Sequence, residues 1–249
     1  MRARFLLVFC AAALCLTTTP RAEAQAETTF AKANADYSAG HFADAVKGYE
    51  SLVQAHHWSA NVFYDLGNAY FRTGDFGRAI LNYERALALN PTQPEAQANL
   101  RLVRDQSRAL ELAPNWPEEH LDFLTTNQYA IVAAVAFWLA VFVFAAMFFM
   151  RRRPVVWIFV LLLLCAIAGG SVFAISAFET GTKGRDVAIV TAPKIQARLA
   201  TAESAGTVLV LPPGSEIKIL STRGAWSYAA LPNDLRGWIP AQGAERVRL

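Results

Sequence analysis

The chain has 249 residues, 54% of them hydrophobic and 17% charged, with a net charge of +3. A balance this close to neutral, with its basic residues scattered, gives no nucleic-acid footprint. Cys10 and Cys15 lie in the first apolar stretch and Cys165 in the last, so the polar parts of the chain hold neither a disulfide nor a cysteine metal site.

In chain order, Arg2 and Arg4 precede an apolar run from Phe5 to Leu16, followed by a small-x-small site at Ala24-Gln25-Ala26. That is the anatomy of a secretory signal peptide over residues 1–26. An uncleaved anchor is the alternative. Phe9 and Leu14 stand before the two leader cysteines, where lipoprotein processing needs a small residue.

The next stretch repeats itself with a period of 34 residues. The offset aligns Phe30 with Tyr64, Asn34 with Asn68, Tyr37 with Phe71, Gly40 with Gly74, Phe42 with Phe76, Ala45 with Ala79 and Tyr49 with Tyr83. The pattern resembles the tetratricopeptide repeat, two antiparallel helices per unit. The second copy carries Phe63, Leu66, Gly67, Tyr70, Ala79, Tyr83, Ala86 and Pro91 at the signature spacings. The first departs from them at Ala33, Asp36 and His57. Gly67 and Ala79 let the paired helices approach closely. Gly74 supplies the turn, where positive φ costs glycine nothing, and Pro91 stops the second helix. A third, polar helix from Pro94 reads as a cap, giving a domain over 27–112. Two repeats and a cap fall short of the usual three, so modest stability, or completion by a partner, is expected.

The resemblance implies a concave groove lined by the first helix of each repeat. Its residues here are Phe30, Asn34, Tyr37, Tyr64, Asn68, Phe71 and Arg72. Asparagine both donates and accepts and aromatics anchor, which suits an extended peptide. The alternative for Phe30 and Tyr64 is packing within the superhelix.

Residues 113–127 read as a juxtamembrane loop, with Trp116, Phe123 and Tyr129 suited to a membrane interface. Two charge-free apolar runs follow, Gln128–Met150 and Val155–Phe178. Each exceeds the roughly 20 residues that a helix needs to cross a bilayer. Arg151, Arg152, Arg153 and Pro154 lie between them. Three arginines at mid-membrane would cost roughly 8–10 kcal/mol, so the chain turns back at the surface. Lys and Arg favour the cytoplasmic side. The turn at 151–154 is therefore expected inside, with both soluble regions periplasmic and the protein integral in the inner membrane. Ala166, Gly170 and Ala174 form a small-residue stripe, expected to pack against the first span.

Residues 184–249 change to short strands with turn signals, among them Pro213-Gly214 for a type II turn. Gly237-Trp238-Ile239-Pro240, spaced from Trp226, resembles bacterial SH3-like (SH3b) domains. The resemblance implies a small all-β barrel that binds peptides or cell-wall material, with Trp226, Tyr228 and Trp238 as an aromatic ligand face. The alternative is that the tryptophans are core residues.

No catalytic constellation stands out. His41, His56, His57 and His120 are scattered, Glu118-Glu119-His120 has no second histidine for a zinc helix, and there is no phosphate loop or nucleophile elbow. A non-enzymatic protein without cofactor or metal is expected. The whole chain is multidomain: an all-α repeat domain, a two-helix transmembrane hairpin and a small all-β SH3-like barrel. That order resembles the BatE-like proteins of bacterial aerotolerance operons. The resemblance implies an adaptor that works with membrane-bound von Willebrand A-domain proteins and a MoxR-type ATPase. The other function class is an envelope sensor or tether that holds the cell wall through its SH3-like domain.

Overall fold

The structure is a computed structural model that describes residues 19–121, 123–149, 155–182 and 184–249. Most of the expected signal peptide and the basic turn at 151–154 lie outside these residues.

Helix α1 (Thr19–Ser38) runs through the expected cleavage site and pairs with α2 (Phe42–Gln54). Helices α3 (Ala60–Thr73) and α4 (Phe76–Leu89) form the second pair, and α5 (Pro94–Ser107) is the cap. Local chemistry sets these ends. The Ser59 side chain accepts from the Val62 N–H, and that of Asp75 accepts from the Arg78 N–H; such caps satisfy donors that a first turn leaves unpaired. Gly40 and Gly74 both turn the chain with φ at +83°. At Gly67 a Cβ would come within 2.8 Å of the Tyr83 ring, so glycine there sets the distance between α3 and α4. Ala45, Ala79, Tyr49 and Tyr83 are fully buried between the helices.

The segment after the cap is not all loop. Trp116–Leu121 forms a short helix, α6. It packs on the second of two long apolar helices, α7 (Thr126–Phe149) and α8 (Val155–Thr180). Both are long and apolar enough to cross a membrane, with mean hydropathy of 2.7. Their large side chains, including Phe142, Phe148, Phe159 and Leu163, face outward. The two helices meet through Ala136, Ala140, Ser171 and Ala174. This corrects the expected packing stripe: Ala174 belongs to the seam, but Ala166 is exposed and a Cβ at Gly170 would meet open space. Tyr129 does not face outward either. It is buried, its ring lies 5.9 Å from that of Phe178, and its hydroxyl donates to the Leu121 carbonyl.

The C-terminal region is an antiparallel sheet of seven strands, ordered β3-β2-β6-β5-β4-β1-β7. In chain order they are β1 (Val187–Val190), β2 (Ile195–Arg198), β3 (Thr207–Leu211), β4 (Glu216–Arg223), β5 (Trp226–Ala230), β6 (Arg236–Pro240) and β7 (Ala244–Arg246). Its two edge strands are not paired with each other, so the sheet is open. It is strongly curved all the same, because Leu211 of β3 and Ala244 of β7 share one core with Ile217, Ala229 and Ile239. Gly214 turns the chain at φ +85°, and Asn233 and Asp234 both have positive φ, as tight turns require.

The repeats and the sheet are joined. Gly77 on α4 lies so close to β1 that a Cβ would sit 2.8 Å from the Val190 carbonyl. Ile189 of the sheet is fully buried in the core cluster of the repeats.

A helical groove and the sheet behind it

The predicted groove residues fall into pairs related by the repeat. The Tyr49 hydroxyl donates to Asn34 Oδ1 at 2.6 Å, and the Tyr83 hydroxyl donates to Asn68 Oδ1 at 2.7 Å. Burial pushes both phenols above their ordinary range, so they act as donors. The Phe30 ring packs on Tyr49 at 5.9 Å and Tyr64 on Tyr83 at 6.0 Å. Tyr37 meets Phe42 edge-on, and Phe71 meets Phe76, so these two aromatics brace the turn of each repeat. The Arg72 guanidinium lies 4.3 Å above the Phe42 ring. All seven side chains therefore do structural work, and six of them keep a half-buried face; Arg72 is exposed.

Asp65 was missed by sequence reasoning. It lies one residue beyond Tyr64 on α3, half-buried, with no hydrogen bond or ion pair among the described residues. Burial alone pushes its carboxyl up to about 6. The signal was present in the repeat: extending the alignment to the cap pairs Asp65 with Asn99.

The opposite face is filled by the chain itself. Arg104 of α5 bonds Glu84 of α4 at 2.6 Å, lies 3.5 Å from Glu111, and bonds Glu216 of β4. Glu216 also accepts the Leu112 N–H, while its own N–H donates to the Leu110 carbonyl. The Leu110 N–H donates to the Ser215 hydroxyl. Arg85 donates to the Arg246 carbonyl at 2.9 Å and pairs with Glu245. Three carboxylates share one guanidinium, and burial dominates: the Glu216 carboxyl is pushed up to about 7 despite Arg104.

A second junction was also invisible in the sequence. Glu118 of α6 is buried and accepts the Thr182 N–H at 2.6 Å, the Thr182 hydroxyl and the Asn115 N–H. A Cβ at Gly181 would overlap its carboxylate, so a larger residue there would displace the Glu118 side chain. This clasp ties the segment before the first long helix to the end of the second. Arg248 reinforces it through Glu179 at 2.8 Å.

Trp226, Tyr228 and Trp238 share the outer face of the sheet. They alternate with Ser227, Ala229 and Ile239, which point inward and are buried. Tyr228 stands opposite Trp238, with ring centroids 5.0 Å apart. The tryptophans are not part of the sheet's core.

Paired antiparallel helices backed by an antiparallel sheet make a repeat-type fold, an architecture that presents extended binding surfaces. Residues 60–93 match the tetratricopeptide repeat family. Comparison with curated proteins gives no match to the chain. The repeat points to a role in protein–protein interaction, and no catalytic family is indicated.

Proposed function

We propose that the chain is a membrane-anchored adaptor that captures an extended segment of a partner protein in the groove of its repeats. One observation carries this reading. The outer face of the repeats is covered by the chain's own sheet through Gly77, Ile189, Arg85 and Arg104, whereas among the described residues no such cover is found over the groove face. Anchoring is supported by two long helices whose large apolar side chains face outward, an arrangement that water would penalise. The basic turn and the leader-like N-terminus support an inner-membrane hairpin with both soluble regions in the periplasm. By its resemblance to BatE-like proteins, the partners are membrane-bound von Willebrand A-domain proteins working with a MoxR-type ATPase, in a Bat-type aerotolerance complex. The sheet then serves as an SH3-like module that stiffens the repeats.

Site-specific photo-crosslinking in intact membranes tests this. Asn61 is exposed and shares a helix face with Tyr64 and Asn68. A crosslinker there should capture a membrane protein, while one at Lys47, on the outer helix of the first repeat, should not. Equal capture at both positions, or none at Asn61, would sink the reading.

A second reading has its own observation. The outward aromatic row on the sheet suits stacking on sugar rings, as a cell-wall tether requires. Co-sedimentation of the detergent-solubilised full chain with purified cell wall should then fall on Tyr228→Ala and Trp238→Ala. Absent sedimentation excludes the tether.

A further inference from the structure

The two junctions of the groove are built from equivalent positions but are not chemically equivalent. At the second, between α3 and α5, Asn99 Nδ2 donates to Asn68 Oδ1 at 2.9 Å and faces the Tyr64 hydroxyl at 3.3 Å. The Tyr83 hydroxyl donates to the same oxygen, so Asn68 Oδ1 accepts twice. At the first junction, between α1 and α3, the same framework recurs as Asn34 and Tyr49. The position equivalent to Asn99 is Asp65. An ionised carboxylate only accepts, so it cannot give Asn34 the hydrogen bond that Asn99 gives Asn68. Tyr49 has its hydroxyl committed to Asn34 and cannot donate to Asp65 as well.

Asp65 therefore keeps its acceptor capacity. It lies beside Tyr64, close enough to Tyr49 and Tyr83 for its charge to disfavour their ionisation. No cation acts on it strongly enough to lower its own carboxyl, which burial holds up at about 6. Half-buried negative charge without a partner is costly. The cation nearest in the groove sequence, Arg72, is placed over the Phe42 ring instead.

We propose that Asp65 is the specificity-determining residue of the groove, and that it accepts the cationic side chain, Lys or Arg, of the extended partner segment laid across the junction of the two repeats. This rests on the groove reading above and adds the chemistry of what enters it. Asn34 flanks the site with an amide NH2 that makes no hydrogen bond to the described residues, available to a carbonyl of the same segment. The second junction, where Asn99 stands in place of the carboxylate, carries no such preference.

Positional scanning tests it with a random octapeptide display library presented to the full-length, nanodisc-embedded protein and to its Asp65→Asn variant. The variant copies the second junction and should fold normally by circular dichroism. Wild type should enrich Lys or Arg at one position about tenfold over Gln, equivalent to about 1.4 kcal/mol. Asp65→Asn should lose that preference to within about twofold, while keeping any apolar preferences at other positions. Peptides captured without a basic preference, or with one that survives Asp65→Asn, would overturn the assignment of Asp65 and leave the groove intact. No captured peptide with either protein would overturn the groove reading itself.

Discussion

The two faces of the repeat domain make opposite use of charge. On the outer face Arg104 is shared among Glu84, Glu111 and Glu216, and backbone groups of Leu110 and Leu112 complete the set. On the inner face Asp65 has no partner among the described residues. The outer set spans the helical repeats and the sheet, so it holds the chain to itself. The inner one is spare. A two-repeat array is short for this architecture, and the curved sheet takes the place of the missing neighbour by covering α4 and the end of α5. The repeats and the sheet thus share a buried seam at Gly77 and Ile189.

The comparison breaks first at Arg104. Removing it takes the Arg104 counter-charge from buried Glu216. Arg104→Ala should cost about 3–5 kcal/mol, read as a loss of thermal stability of the solubilised protein at pH 8. A loss under 1 kcal/mol would mean that the outer face is not held by this pair. The next break is steric. Gly77→Ala drives a methyl group against the Val190 carbonyl and the Thr191 backbone. Overpacking of this kind costs about 1–3 kcal/mol, and faster proteolysis within 108–115 should report the loosened seam. On the inner face the repeats themselves can be set against each other. Asn68 accepts from both Tyr83 and Asn99, Asn34 from Tyr49 alone. Each stranded buried donor costs about 1–3 kcal/mol, so Asn68→Ala should destabilise more than Asn34→Ala, by about 1 kcal/mol in urea denaturation. Equal losses would undo the asymmetry on which the role of Asp65 depends.

Periodicity made the repeats legible, because period and small residues are the same constraint. Small residues recur where helices touch, Ala33 and Gly67 in one place and Ala45 and Ala79 in the other, and that contact needs no knowledge of distant sequence. The two long apolar helices were legible from length and the absence of charge, and the strands from turns such as Pro213-Gly214. What stayed hidden was pairing over long separations. Arg104 and Glu216 stand 112 residues apart, and Glu118 and Thr182 stand 64 apart. Each reads locally as an ordinary solvated charge, since nothing in a polar helix says which of its charges is buried. The open edge of the sheet was equally silent, because strand patterns show alternation and not closure. The aromatic row was half legible: Trp226, Tyr228 and Trp238 are spaced for one face, but only the register says it is the outer one.

The last and smallest test sets the two faces against each other by pH. Burial raises the Glu216 carboxyl from 4.5 to about 7 and the Asp65 carboxyl from 3.8 to about 6. A carboxyl raised in the folded state binds its proton more tightly there than in the unfolded chain. Stability is then greatest at low pH and declines as pH rises through the window between the two values. For Glu216 the window runs from about 4.5 to about 7, and for Asp65 from about 3.8 to about 6. Between pH 6 and 7 Asp65 passes from about half protonated to about a tenth, so the larger part of the decline, about 1 kcal/mol, belongs to Glu216. Glu216→Gln should flatten melting temperature against pH in that interval, and Asp65→Asn should leave it sloped. Below pH 6 Asp65→Asn should reduce the slope as well. A bound cationic segment would lower the Asp65 carboxyl and remove its share of the decline, leaving that of Glu216 in place. A slope between pH 6 and 7 that survives Glu216→Gln would show that the outer face does not carry the proton assigned to it.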